Sequence, residues 1–351
     1  MRAVMFNQWK TFPTLEDVEK PTPGPGEVLL KVAGAGACHS DVAVYHDMDD
    51  TSAPPQLKPS YILGHENSGW VEEVGAGVTG ITIGDAFLVY GPIGCGHCPA
   101  CSRGQDTYCQ NQADMPYMAS GLGRNGGMAE YMTVPARNLV PLGDADPVAA
   151  APLSDAGLTP YHAIKNSLPK LQGGGKTALV IGLGGLGQLA VQILTAITGA
   201  TVIATDSKPD AMERAASRGA ITVPSGDDQA ARIRELTGGR GVDAVFDFVG
   251  IAPTVALSMQ SVAVQGRVTI VGIAGGVYDW GFFTVPYEAE LLSTYWGTIE
   301  ELYEVVALYR AGKITPDVEI FDMEHALDAY TKLESGKLSG RAVVAPHGQS
   351  K

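Results

Sequence analysis

The chain has 351 residues, of which 45% are hydrophobic and 18% charged, a composition that supports two globular domains and leaves no room for long disorder. Its formal net charge of −14 repels phosphate backbones and anionic headgroups, so nucleic acid and membrane surfaces are not expected partners. Five cysteines, one alone at Cys38 and four at Cys95, Cys98, Cys101 and Cys109, point to metal rather than to a secreted disulfide framework.

The N-terminal residues show no long apolar core followed by a small-residue cleavage site, so no secretory signal is expected. Residues 26–37, 68–78 and 81–91 read as short strands bounded by Gly, Pro and Asp. Residues 47–60 form a polar, proline-bearing loop. Residues 91–127 are rich in Gly, Cys and Asn without periodicity, and need something other than a hydrophobic core to order them. From 177 the pattern alternates: strand 177–182, helix 186–198, strand 200–206, helix 210–220, a short strand 221–224, helix 229–239, strand 242–250, helix 254–264 and strand 266–273. Parallel strands need crossover helices, so this alternation predicts an α/β, doubly wound parallel sheet. Residues 177–205 carry no charge over a length that could span a bilayer, but Gly182, Gly184, Gly185 and Gly187 break the run. A soluble, cytoplasmic protein is expected. Helices over 300–312 and 323–336 and a strand over 341–346 complete the chain.

Gly182-Leu183-Gly184-Gly185-Leu186-Gly187 follows a predicted strand and opens a predicted helix. In that context the glycines allow a tight turn and let a pyrophosphate approach the free N–H groups of a helix N-terminus. Asp206 ends the next strand, where a carboxylate can accept a hydrogen bond from a ribose 2′-hydroxyl and repel a 2′-phosphate. NAD is therefore preferred to NADP, although the cation Lys208 nearby could tolerate the phosphate.

Cys95, Cys98, Cys101 and Cys109 place four sulfurs within one short segment, which suits a closed tetrahedral zinc site. An iron–sulfur cluster and two local disulfides are the competing readings. His97 reads as a solvated loop residue. Cys38 and His65 supply half of a second site, whose remaining ligand could be any of several carboxylates or histidines, and Cys38 could instead be a buried thiol.

Cys38-His39-Ser40-Asp41, Gly64-His65-Glu66, the four-cysteine lobe, residues 151–159 and the glycine turn occur in this order. Together they resemble the zinc-dependent alcohol dehydrogenases of the medium-chain dehydrogenase/reductase family, and within it the bacterial secondary-alcohol dehydrogenases that reduce ketones. The resemblance covers essentially the whole chain. It implies a GroES-like, β-rich catalytic domain over 1–157 and 294–351, with the structural zinc lobe at 91–112, around a Rossmann NAD-binding domain over 158–293. It implies two zinc ions per chain, NAD(H), a small alcohol or ketone as substrate, and a homodimer or homotetramer in which the Rossmann sheets join the contact.

Residue by residue, the resemblance makes Cys38 and His65 catalytic zinc ligands and gives the third position, usually cysteine, to Asp155. Asp41 orients His65, and Glu66 is a carboxylate near the metal. Ser40 begins the proton relay, and His39 contacts the cofactor pyrophosphate. Thr159, Val271, Ile273 and Arg341 join Gly182, Gly184, Gly185, Leu186, Gly187 and Asp206 in the cofactor set, with Arg341 alternatively pairing Glu66 or lying in solvent. Leu122, Tyr295 and Trp296 are candidates to line the substrate pocket. The relay's usual terminal histidine is replaced by Ala43, which leaves water, His39 or His46 to carry the proton onward. A polyol or primary-alcohol dehydrogenase of the same family would share every metal feature. A nucleotide-binding redox sensor or structural protein, with the cysteine lobe as sensor, is the rival from another class.

Overall fold

The computed structural model describes residues 1–348. The chain divides into two units. One comprises Met1–Ala156, Gly297–Arg310 and the chain from Pro316; the other comprises Gly157–Trp296 and Ala311–Thr315. The second crossing thus falls a few residues beyond 293/294, and a later five-residue segment joins the central unit. The reason is local: the Thr315 amide donates to Gln192 Oε1 at 2.9 Å while Gln192 Nε2 donates to the Thr315 carbonyl at 3.1 Å, stitching that segment to the helix Gly185–Ile197.

The central unit carries a six-stranded parallel sheet. Its spatial order is Ile221–Thr222, Thr201–Thr205, Thr177–Ile181, Val242–Asp247, Val262–Ile270 and Glu290–Ser293. Every residue of the two middle strands, Thr177–Ile181 and Val242–Asp247, is buried. Continuous apolar runs are what a sheet covered on both faces requires. Leu179, Ile181, Ile203, Val245, Ile233, Met259 and Val268 share one core cluster, each buried side chain contributing about 1.5–3 kcal/mol. The expected helix 254–264 ends at Ser261, and residues 262–264 instead open the strand Val262–Ile270. The β-branched Val262 pairs with Val242 there, so tertiary pairing overrides the helical reading.

In the other unit the strand Glu27–Gly36 lies centrally in a seven-stranded sheet, pairing antiparallel with Glu66–Val74, Tyr131–Pro135 and Arg341–Val344. The register sets Gly36 against Glu66 and against Val343. These pairings bring residues near 38, 65 and 341 to one end of the sheet. No helix among the described residues is long and apolar enough to cross a membrane; the uncharged run 177–205 folds as a strand, a 13-residue helix and a strand.

Candidate active site and metal centres

The segment 91–127 is built from single turns, at Cys101–Arg103, Asp106–Tyr108 and Gln112–Asp114. The sulfurs of Cys95, Cys98, Cys101 and Cys109 lie within 4.8 Å of one another, and every cysteine is a free thiol, so the local disulfides are absent. Backbone amides aim into the cluster: Cys98 donates to Cys95 Sγ at 3.3 Å, Cys101 to Cys98 Sγ at 3.5 Å and Cys95 to Cys109 Sγ at 3.3 Å. Hydrogen bonds from the His97 and Cys98 amides and the Asn111 side chain outweigh burial and bring the Cys95 thiol down to about 6. Burial pushes the Cys101 thiol up. Four sulfurs this close, some readily ionised and some desolvated, form a soft donor set that fits a closed tetrahedral zinc site.

Arg137 fastens the lobe. Its guanidinium holds buried Asp106 through two bonds of 2.8 and 3.1 Å and donates to the Cys101 carbonyl at 3.1 Å. The His97 ring bonds the Cys95 carbonyl at 2.8 Å and is exposed. Nothing in the sequence patterning singled out Arg137 or Asp106.

The second cluster draws on distant segments. Cys38 caps the short helix His39–Val42, and Asp41 folds back to accept from the Cys38 amide at 3.1 Å. That reciprocal cap fixes Cys38 relative to Asp41. Asp41 Oδ1 in turn lies 2.8 Å from His65 Nδ1. The hydrogen bond selects the tautomer in which Nε2 carries the lone pair that can ligate. Nε2 lies 3.7 Å from Asp155 Oδ2, as does Cys38 Sγ. Ligand atoms of Cys38, His65, Glu66 and Asp155 all fall within 4.8 Å of one another. Metal–ligand bonds of about 2.0–2.3 Å in a tetrahedron require separations of about 3.3–3.8 Å, so this mixed S, N, O set fits zinc. Ser40 Oγ sits beside it, 3.0 Å from Cys38 Sγ and 3.2 Å from His65 Nε2.

Arg341 is fully enclosed here. Its Nε donates to Glu66 Oε2 at 2.9 Å, Nη2 bonds Oε1, and Nη2 lies 3.8 Å from Asp155 Oδ2. Of the places open to Arg341 in the sequence, the structure takes the Glu66 pair. That pair corrects the solvated-surface reading, because a guanidinium taken out of water must be paired where it lies. Gly36 makes the pair possible: a Cβ there would come within 2.0 Å of Glu66 Oε2. Burial raises the Glu66 carboxyl to about 7 despite Arg341.

In the central unit Gly182 takes φ of 85°, and a Cβ on Gly187 would meet the Gly182 carbonyl at 1.8 Å. Both positions require glycine. A Cβ on Gly184 would meet nothing within 4 Å, so the turn is open where the helix Gly185–Ile197 presents its first amides. This fits a dinucleotide pyrophosphate. Leu186 lies in the first turn of that helix. Asp206 follows the strand Thr201–Thr205, and its Oδ2 accepts from the Leu183 amide at 2.6 Å while Oδ1 accepts from the Lys208 amide at 2.8 Å. Asp206 therefore also braces the glycine turn, a contact that motif spacing does not reveal.

The remaining candidates lie on several different elements. Thr159 is buried in the first turn of the helix Leu158–Leu171. Val271 is buried and Ile273 exposed just past the strand Val262–Ile270. Leu122 is buried between the short strands Ala119–Ser120 and Gly123–Arg124. Tyr295 is exposed and Trp296 buried, their rings 6.0 Å apart, with Trp296 held at φ of 53°. A bulky residue in the left-handed region is strained, and the surrounding packing must hold it there. His162 is buried against Asn166, and His325 is exposed beside Asp322.

Residues 24–144 match the alcohol dehydrogenase GroES-like domain, and residues 185–311 match the zinc-binding dehydrogenase domain. An NAD-dependent alcohol dehydrogenase of Sulfolobus acidocaldarius is 36% identical, the match covering 98% of this chain and 99% of that protein. The chain belongs to the zinc-dependent alcohol dehydrogenases. It is thus an oxidoreductase of the medium-chain family, with GroES-like and Rossmann parts. A D-arabinose 1-dehydrogenase (NADP(+)) of Saccharolobus solfataricus is 32% identical over 98% of this chain and 97% of that protein. Acetophenone reductase from Geotrichum candidum, solved in complex with NAD, superposes with a TM-score of 0.84 at 33% identity, covering 98% of this chain and 96% of that one.

Proposed function

We propose that this alcohol dehydrogenase oxidises secondary alcohols with NAD and reduces the corresponding ketones with NADH. One observation carries the reading: Cys38, His65 and Asp155, from three separate segments, present sulfur, imidazole and carboxylate donors to a common point, with the Ser40 hydroxyl alongside. Cys38, His65 and Asp155 would hold the catalytic zinc, with Glu66 as an occasional fourth donor; Cys95, Cys98, Cys101 and Cys109 would hold the structural one. When bound, zinc polarises an alcohol or carbonyl oxygen and the nicotinamide exchanges hydride with the carbinol carbon.

The chain's own residues orient and move a proton. Asp41 keeps His65 in its ligating tautomer. Ser40 would relay the hydroxyl proton released as the alcohol is oxidised, taking it up while passing its own proton outward, and would run the relay in reverse during ketone reduction. With Ala43 in place of the usual terminal histidine, exposed His39 and His46 on the same helical stretch are the imidazoles that can pass this proton to solvent. Asp206 would bond the adenosine ribose and disfavour a 2′-phosphate, while Thr159, Val271 and Ile273 would border the cofactor and Leu122, Tyr295 and Trp296 the substrate.

The ketone-reducing relative supports the secondary-alcohol reading, and the D-arabinose relative supports a second reading, a sugar or polyol as substrate. The edge strand Glu290–Ser293, with Leu291 and Leu292 exposed and Phe282 and Phe283 exposed just before it, supports a homodimer formed along the Rossmann sheet, or a homotetramer built from such pairs. Five free thiols suit the cytoplasm. The test follows NADH absorbance across secondary alcohols, polyols and ketones in protein holding two zinc ions per chain. Turnover on secondary alcohols and ketones is expected, together with lost discrimination against NADP in Asp206→Gly. Faster turnover of polyols would favour the second reading, and silence in zinc-loaded protein would favour a redox sensor.

A further inference from the structure

Asp41 is the point where the open cluster meets the rest of the fold. Both its oxygens are used: Oδ1 faces His65 Nδ1 at 2.8 Å, and Oδ2 accepts from the Cys38 amide at 3.1 Å and from the Tyr330 hydroxyl at 3.1 Å. Tyr330 belongs to the helix Ala326–Glu334, 289 residues along the chain, and is fully buried. Its ring packs edge-on against Tyr45, with centroids 6.0 Å apart, and Tyr45 is itself tied to Glu334 of the same helix by a 2.6 Å hydrogen bond. The phenol is thus a rigid donor on a rigid element. Burial and the adjacent Asp41 charge hold it well above the usual tyrosine range, so it stays protonated and donates.

We propose that Tyr330 is a positioning residue for the open metal site, acting through Asp41: by holding Oδ2 together with the Cys38 amide, it keeps Oδ1 in line with His65 Nδ1. A carboxylate held at one oxygen by a single amide can pivot about its Cβ–Cγ bond. A second donor on that oxygen, from another element, removes the freedom. The His65 ring is then fixed with Nε2 toward Cys38 and Asp155, and the buried Asp41 charge is satisfied by three donors. Partners that orient a ligating histidine affect metal affinity by about 10–100-fold when they touch it. Tyr330 sits one bond further out, so a smaller effect is expected.

The inference rests on the reading of Cys38, His65 and Asp155 as metal ligands, and the experiment separates the two. Zinc release from the full-length protein to a chromogenic chelator is followed in the wild type, Tyr330→Phe, Asp41→Asn, the double variant and Tyr45→Phe. Wild type should release zinc in a fast phase, from the open site, and a slow phase, from the cysteine lobe; without a fast phase the ligand reading itself fails, and this inference with it. Tyr330→Phe keeps the ring against Tyr45 and should quicken only the fast phase, by about three- to tenfold on the scale above. Asp41→Asn should quicken it more, and the double variant should be no faster than Asp41→Asn alone. Tyr45→Phe, which loses only the Glu334 bond, should release zinc as the wild type does. With a wild-type fast phase present, an unchanged fast phase in Tyr330→Phe, acceleration of both phases, or multiplying effects in the double variant would each overturn the role.

Discussion

The two candidate metal clusters of this protein are made in opposite ways. The lobe collects four like ligands from Cys95 to Cys109, on single turns whose amides already point at the sulfurs. The open cluster gathers sulfur, imidazole and carboxylate from Cys38, His65 and Asp155, and surrounds them with buried Asp41, Glu66 and Arg341. The closed thiolate set takes its ligands from its own loop and is fastened from outside by Arg137. A mixed set gathered from distant segments needs surrounding buried groups to orient its ligands.

Breaking the lobe should have the largest effect. Cys98→Ser is expected to lose the slow-released zinc and the order of residues 91–112, since structural zinc in small domains contributes about 10–16 kcal/mol of apparent binding free energy. Zinc content and thermal unfolding check this, and full zinc with an unchanged Tm would mean that the lobe is held by packing instead. Next comes the charge network. Arg341→Ala strands Glu66 in the interior and should cost about 3–5 kcal/mol in denaturant unfolding, whereas the double variant Arg341→Met with Glu66→Met should recover most of it. If the single variant costs no more than the double, the ion pair is not what holds this end of the sheet. The smallest effect concerns one ligand: Asp155→Asn keeps the shape but loses the anionic oxygen, and should weaken open-site zinc by tenfold or more on a scale where orienting residues alone are worth about 10–100-fold. Equilibrium dialysis should find the lobe still loaded, and equal affinity at the open site would remove Asp155 from the ligand set.

The same contrast governs what could be read in advance. The glycine turn and the cysteine lobe are legible because their residues act within one turn of chain, so spacing carries the geometry. Asp155 enters only through resemblance, because nothing local distinguishes it from other carboxylates. Nothing local in the sequence separates a solvated Arg341 from one paired with Glu66, and burial decides between those two. Tyr330 had no signal at all: it lies in an ordinary amphipathic helix, and its hydroxyl gains meaning only from Asp41 across the fold. Residues 262–264 carry a helical pattern yet form strand, because the pairing of Val262 with Val242 is decided by the sheet and not by the local pattern.

By itself, then, the sequence determined the alternation that makes the parallel sheet, the turn that can receive a pyrophosphate and the lobe that can close on a metal, since each depends on contacts between near neighbours. Only the tertiary structure decided how Cys38, His65 and Asp155 converge, and which buried groups compensate one another around them. Burying a charge is unfavourable until its partner arrives, and here the partners come from opposite ends of the chain.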